Sequence, residues 1–298
     1  VEASQDLPVG KTLIRRRQGA VLGLTGPAYV WLALTIFLPL SAMLFFSFLT
    51  VAPLNGRHAD VTLQNYSDYF AKGFYLTLTG RSLMLGVYVT ALCVLLGYPA
   101  ALALAKYVKG RWREALFLLI VLPFWSNGLV RVFSWTMVLR TDGLIDRAIQ
   151  DVLPGAPHLN ILFTFPAVVI GLVHSFLPYM ILTCYISLQA IDDSLMEAAR
   201  SLGATGLTVF RRIILPLSIP GLSAGAILIF VPVIGSFMEP RILGGPGAIM
   251  LGNVIEDQFT VVFNWPLGGA LSFILLAIVL VILGLCYPVL RRHLQGAA

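Results

Sequence analysis

The fold class this sequence predicts is an all-α, polytopic membrane protein with six transmembrane helices, and three observations predict it. Of its 298 residues, 58% are hydrophobic and 11% charged, with a mean hydropathy of +0.88. A water-soluble domain carries about a quarter charged residues, so this chain lacks the polar surface to face water on all sides. Its apolar residues gather into six runs, each long enough for the roughly 20 residues that cross a bilayer as a helix with its backbone bonded internally. Its basic residues cluster between alternate runs, as expected of loops on the cytoplasmic side.

The elements follow in order. A polar, basic start (Lys11, Arg15, Arg16, Arg17) leads into Leu24–Leu49. That run exceeds a signal-peptide core of roughly 7–15 residues and is expected as a retained first span, with residues 1–23 as a cytoplasmic segment. The remaining spans are Leu78–Leu104, Ala115–Leu139, Phe165–Leu188, Ile213–Phe237 and Gly268–Leu290. Residues 24–298 then form one transmembrane domain with its core at about 78–290. Between spans three and four, Thr141–Thr164 predicts a helical piece from Gly143 to Val152, stopped by Pro154-Gly155-Ala156-Pro157. Between spans five and six, Met238–Pro266 carries Gly244-Gly245-Pro246-Gly247 and is too irregular to span. Cys93, Cys184 and Cys286 fall inside apolar runs without metal-ligand spacing, which predicts packing roles.

Charge sets the orientation. With the N-terminus inside, the inner segments carry Lys11, Arg15, Arg16, Arg17, Lys106, Lys109, Arg111, Arg113, Arg200, Arg211, Arg212, Arg291 and Arg292. The outer loops carry Arg57, Lys72, Arg140, Arg147 and Arg241, with most of the acids. Both termini are therefore expected in the cytoplasm. The net charge of +6 is not arranged as an aromatic-interleaved patch, which argues against a nucleic-acid partner and leaves lipid as the surrounding medium.

The one long inner loop, residues 189–212, holds the most informative pattern. Ser194 and Glu197 fit a capping box; Leu195, Ala198, Ala199 and Leu202 recur at helical spacing, and Gly203 suits a left-handed stop. Thr205 can cap a second short helix leading into span five. The small Ala198, Ala199 and Gly203 leave room for a partner's close approach. Glu197-Ala198-Ala199, then Gly203 after three residues, Ile213 after nine more and Leu215-Pro216 after one complete the pattern. It resembles the signature loop of permease subunits of type I ATP-binding-cassette (ABC) importers, without departure at the fixed positions.

That resemblance implies the type I importer transmembrane-domain fold in a bacterial inner membrane, with Glu197, Ala198, Ala199 and Gly203 facing a cytoplasmic ABC ATPase dimer. It also implies a second homologous permease and a periplasmic solute-binding protein. ATP and magnesium would sit on the ATPase, and this chain would bind no cofactor or metal and catalyse nothing. No phosphate-cradling glycine loop ending in Gly-Lys-Ser/Thr is present in the sequence, nor a nucleophile elbow. The stretches Leu122-Pro123-Phe124-Trp125, Leu177-Pro178-Tyr179 and Asn264-Trp265-Pro266-Leu267-Gly268-Gly269 resemble spermidine/putrescine-type permeases in particular.

A polyamine wants carboxylates and aromatic faces. Glu239 is the best single acid for that task; Trp125, Trp135, Tyr179 and Trp265 offer faces, each tryptophan also reading as an interfacial anchor. Glu256 and Asp257 read as a solvated loop, and His174 as a satisfied interior histidine. Arg131 lies inside a span, where an ionisable group is a functional hypothesis by default. It either neutralises Glu239 or meets an anionic solute. Opines, amino-acid-like amines, organophosphonates and iron are the alternative cargoes within the class. An ion-gradient-driven carrier is the alternative outside it, and would place ionisable residues and interrupted helices near the midplane.

Overall fold

The computed structural model describes residues 9–52, 58–155 and 157–295, with side chains described from 25 to 287 apart from the same gaps. The basic side chains of Lys11, Arg15, Arg16, Arg17, Arg57, Arg291 and Arg292 lie outside that set. The described residues form thirteen α-helices, and the one β-bridge among them joins Leu49 to Val61.

Helix α1 (Val9–Ser47) contains the first span and is the least enclosed of the spanning helices. Its end is capped from outside: Asn65 Nδ2 donates to the carbonyls of Ser47 and Leu49 at 3.0 and 2.9 Å, occupying acceptors that a helix terminus leaves orphaned. Asn65 lies on the short α2 (Gln64–Ala71). Helix α3 (Gly73–Leu102) starts a turn earlier than the apolar run suggests and ends in a π-turn over Ala103–Tyr107.

The third span is a correction. In place of one continuous helix over Ala115–Leu139, α4 (Arg111–Val121) passes into a 3₁₀ turn, Leu122–Trp125, and α5 (Gly128–Leu139) leaves it bent by 98°. Pro123 has no N–H to continue an α-ladder. Asn127 then adopts extended backbone, and its Oδ1 accepts the Leu129 amide at 2.8 Å, restarting the helix. The freed Pro123 carbonyl accepts from the Ser126 amide, the Ser126 hydroxyl and Arg131 Nη1, at 3.2, 2.8 and 3.4 Å. Such re-satisfaction is what allows a helix to break at membrane depth. Among the described residues five continuous helices are long and apolar enough to cross a membrane, and this bent pair, taken as one broken span, is the sixth.

Outside the spans, α6 (Leu144–Val152) occupies the expected helical piece. Then come α7 (Phe165–Gln189), α8 (Asp193–Ser201), α9 (Gly206–Val209), a second π-turn over Phe210–Ile214, and α10 (Leu215–Ile234). The irregular stretch after span five is partly helical, with α11 (Met238–Leu243) and α12 (Leu251–Thr260) before the last span in α13 (Trp265–Gln295).

The core is the packing of α3, α7 and α10 on one another, through Leu85, Val89, Leu172, Met180, Leu188, Ile229 and Val233. Cys93 and Cys184 are buried there, whereas Cys286 on α13 is exposed. Apolar side chains gain little from one another over lipid, so close backbone approach and van der Waals packing hold membrane helices together. Gly221 and Gly225, a Gly-x-x-x-Gly pair on α10, provide that approach. A β-carbon on Gly221 would stand 2.6 Å from the Thr183 carbonyl oxygen of α7, and one on Gly225 2.9 Å from Met180 Sδ. A second cluster around Tyr69, Leu78, Leu251 and Leu271 joins α2, α3, α12 and α13.

Candidate functional site

The loop between α7 and α10 forms a helical hairpin made of α8 and α9. Its start is a correction: the cap is Asp192, not Ser194. Asp192 has extended backbone and its Oδ1 accepts the Ser194 amide at 2.9 Å, so Ser194 lies within the first turn and makes no capping box with Glu197. The Ser194 amide bond is the first cause holding the Asp192 carboxyl below its ordinary range. The turn follows expectation. Gly203 has φ +83°, a region that disfavours a β-carbon, its amide donates to Arg200 O at 2.9 Å, and Ala204 donates to Ala199 O at 3.0 Å. Thr205 Oγ1 accepts the Thr208 amide at 3.4 Å and caps α9.

The apolar positions of α8 face two ways. Met196 and Ala199 pack on the bundle core, while Leu195, Leu202 and, on α9, Leu207 stay 48%, 89% and 59% exposed. Glu197, Ala198 and Gly203 are exposed and Ala199 is half-buried. These three leucines are apolar surface that the bundle itself does not cover, Leu207 lying at the start of the apolar stretch Gly206–Ile234. A cleft of about 260 Å³ separates the hairpin from the end of α3, with Lys106, Lys109, Asp193, Glu197 and Arg200 in its lining. At its edge Lys106 Nζ donates to Ile191 O at 2.6 Å and to Asp193 Oδ1 at 2.7 Å. Sequence reading passed over Lys106, counting it only as one more inner charge. Its partners lie 85 and 87 residues away, so no local pattern marks it.

At the break in the third span lies a mainly apolar cavity of about 400 Å³, with Arg131, Trp135, His174, Ser126 and Ser134 in its wall. Trp135 Nε1 donates to His174 Nδ1 at 3.3 Å, and the rings meet edge-on at 5.4 Å. The Arg131 Nε–H is buried without a partner. Among the described residues Arg131 and Glu239 form no ion pair. Glu239, on α11 just past the fifth span, is 9% exposed and its Oε2 accepts the Ser236 hydroxyl at 2.7 Å. Tyr179 stands edge-on to Phe124 at 4.6 Å, so it too borders the break. Trp125 is 88% exposed. Trp265 lies apart at the start of α13, its ring 6.3 Å from Phe46 and its buried Nε1 unpartnered. The structure thus gathers Arg131, Trp135 and Tyr179 near the break and leaves Trp265 elsewhere.

The loops opposite the hairpin are tied by charge. Glu256 and Asp257 are not a free loop: both sit on α12 and pair with Arg241 of α11, the Asp257 contact being 2.5 Å. The Asp257 hydrogen bond is the chief cause raising the Arg241 guanidinium above its ordinary value. Asp146, 1% exposed, accepts from the Asp142 and Leu159 amides at 3.0 and 2.9 Å and meets His158 Nδ1 at 2.8 Å. The carboxyl is pulled down to about 2, first by the His158 hydrogen bond and then by the two amides, and His158 is raised in return. With Asp142 these groups lie within 4.8 Å of one another, but the Asp146 oxygens are already taken, so the cluster is a loop clasp.

Comparison with known proteins bears on all of this. The family described as "Binding-protein-dependent transport system inner membrane component" matches residues 94–297. The spermidine/putrescine transport system permease protein PotB of Haemophilus influenzae is 36% identical over 270 residues, which is 90% of this chain and 94% of that protein. PotB of Escherichia coli is 37% identical over 257 residues, 86% and 92% of the two chains. A chain of the bacterial ABC transporter that imports the acidic polysaccharide alginate superposes with a TM-score of 0.74 at 16% identity, over 93% of this chain and 96% of its own. The inward-facing MetNI methionine ABC transporter gives 0.55 at 18% identity, over 73% and 95%. At these identities the two solved structures speak for the fold alone.

Proposed function

Because the chain belongs to the family of inner-membrane components of binding-protein-dependent transport systems, we propose that it is the permease subunit of an ATP-driven importer whose cargo is a polyamine of the spermidine or putrescine kind. It is a multi-pass inner-membrane protein with the type I importer fold. The observation that carries the coupling reading is the hairpin, which presents Glu197, Ala198 and Gly203 beside exposed leucines on a surface that the bundle leaves open.

In this reading the hairpin seats in a cytoplasmic ABC ATPase dimer, which binds ATP and magnesium, and both termini lie on that same side. A second homologous permease completes the path, and a loaded solute-binding protein docks on the opposite loops. ATP-bound and ATP-free ATPases favour different positions of the hairpin. That difference in affinity biases the spans between outward-open and inward-open arrangements, as any ligand-driven shift requires. The chain catalyses no reaction; it supplies the path. Along that path the aromatic faces of Trp125, Trp135 and Tyr179 suit a cation, and Glu239 is an acid with no cation of its own among the described residues. Trp265, away from the break, serves the α1–α13 contact.

A second reading keeps the importer and changes the cargo. The unpartnered Arg131 Nε beside the cavity favours a solute that carries a carboxylate or phosphonate with its amine. One experiment separates these readings. The transporter is reconstituted in liposomes with its ATPase and binding protein, and ATP-dependent uptake of radiolabelled spermidine is measured with and without an excess of amino-acid-like competitors. Spermidine uptake that such competitors leave untouched supports the polyamine. Uptake without the ATPase, or an ATPase that still co-purifies with Glu197→Lys, refutes the coupling reading.

A further inference from the structure

We propose that Lys106 is the positioning residue that carries movement of the α8–α9 hairpin into α3; the inference rests on the coupling reading above and deepens it. The hairpin continues directly into α7 on one side and α10 on the other, so any displacement reaches those two helices through the chain itself. Helix α3, the third member of the core, has no such connection. Lys106 stands 85 residues before Ile191 in sequence, yet its ammonium binds the Ile191 carbonyl at 2.6 Å and Asp193 at 2.7 Å. Those two partners flank the Asp192 cap of α8. The Lys106 side chain is 7% exposed against 70% for Asp193, so the lysine is packed into the bundle while its ammonium bonds the hairpin.

The backbone around Lys106 is shaped for this reach. The Val108 amide bonds Ala103 O at 3.0 Å, a five-residue step that makes the π-turn. One extra residue in a turn rotates everything beyond it by about 100° relative to an uninterrupted α-helix. The Arg113 guanidinium donates to Val108 O and Ala105 O at 2.9 and 3.4 Å, leaving Lys106 for the hairpin. The second π-turn, at the start of α10, faces the same cleft through Phe210 and Ile214. Two of the three core helices, α3 and α10, therefore carry the same irregularity where they meet the hairpin, beside a cleft of about 260 Å³. A charge-assisted bond is short and directional, which suits a strut between two moving parts better than apolar contact does.

The test uses the full transporter in lipid bilayers with its ATPase, second permease and binding protein, and reads the uptake achieved per ATP hydrolysed. A merely structural residue lowers both rates together by reducing the number of intact complexes, and leaves that ratio alone. With Lys106→Met the ATPase still co-purifies and the ratio falls about tenfold, the size expected from losing charge-assisted bonds; Lys106→Arg restores it. An unchanged ratio, or an ATPase lost in step with uptake, overturns the proposal. Should Lys106→Met fail to assemble in the membrane, Asp193→Ala, which removes that acceptor and keeps the bond to Ile191 O, takes its place: a lowered ratio supports the strut and an unchanged one overturns it. Failure of the coupling reading looks different, as wild-type permease that retains no ATPase.

Discussion

Gly221→Ala drives a methyl carbon against Ser187 Cβ and to 2.6 Å from the Thr183 carbonyl oxygen. Neither atom can rotate away, one being a β-carbon and the other backbone of α7, so α10 must recede by several tenths of an ångström. A gap of about 0.5–1 Å along the interface forfeits a quarter to a half of each van der Waals contact it opens. In a membrane that loss is not offset by any hydrophobic gain between helices. Overpacking of this kind costs about 1–3 kcal/mol. The control is Gly284→Ala on α13, where an added β-carbon meets nothing within 4 Å. Both variants gain the same helix propensity, so their difference isolates the clash. Gly225→Ala falls between them, because its nearest neighbours are the side-chain ends of Thr183 and the flexible Met180. Thermal unfolding of the purified protein in one detergent reads the difference as a lower Tm for Gly221→Ala, at ~2–4 °C per kcal/mol. If Gly221→Ala and Gly284→Ala melt together, the close approach of α10 to α7 is not what holds the core.

Three further outcomes are expected. The Asp146–His158 clasp has a pH window. Asp146 is depressed from 3.8 to about 2, so its contribution is present above its ordinary value and lost as pH falls toward 2; His158 is raised above 6.5, so its contribution is complete below that value and lost as pH rises through the raised one. Protection of the Leu159 amide from hydrogen exchange, corrected for intrinsic rates, should be greatest at about pH 4–6.5, and Asp146→Asn should abolish that maximum. Asp192→Ala should reduce protection of the Ser194 amide about fivefold, the usual effect of a lost N-cap, while Ser194→Ala leaves the start of α8 intact; the reverse pattern would restore the capping box at Ser194. Glu239→Gln should leave the melting temperature within error, since the Ser236 hydroxyl bonds either side chain, and reduce spermidine uptake about tenfold if the carboxylate meets an amine; unchanged uptake removes Glu239 from the path.

Much of the molecule was legible from the residues. Span number follows from the length of the apolar runs, because a helix in lipid has no other way to satisfy its backbone. The Gly203 turn and the Thr205 cap were readable for a related reason: left-handed backbone and orphan amides call for particular residue types within a few positions. Errors came where two local candidates competed. Asp192 and Ser194 both cap helices, and only the extended backbone at Asp192 decides between them. Pro123 inside an apolar run is compatible with a straight span, a kink or a break, and the 98° bend depends on Asn127 restarting the helix and on Arg131 reaching the freed carbonyl.

Composition and run length determined by themselves that this chain is a polytopic helical membrane protein, and the spacing of capping and turn residues that it carries a short helical hairpin between two of its spans, since each follows from short-range chemistry repeated along the chain. Tertiary structure alone decided which charges meet: Lys106 with Asp193, Arg241 with Glu256 and Asp257, and Arg131 with a carbonyl and not with Glu239. Those partners are set by how helices far apart in sequence pack in space. A side chain that finds its counterpart 85 residues away leaves no periodicity, spacing or composition from which the pairing could be read.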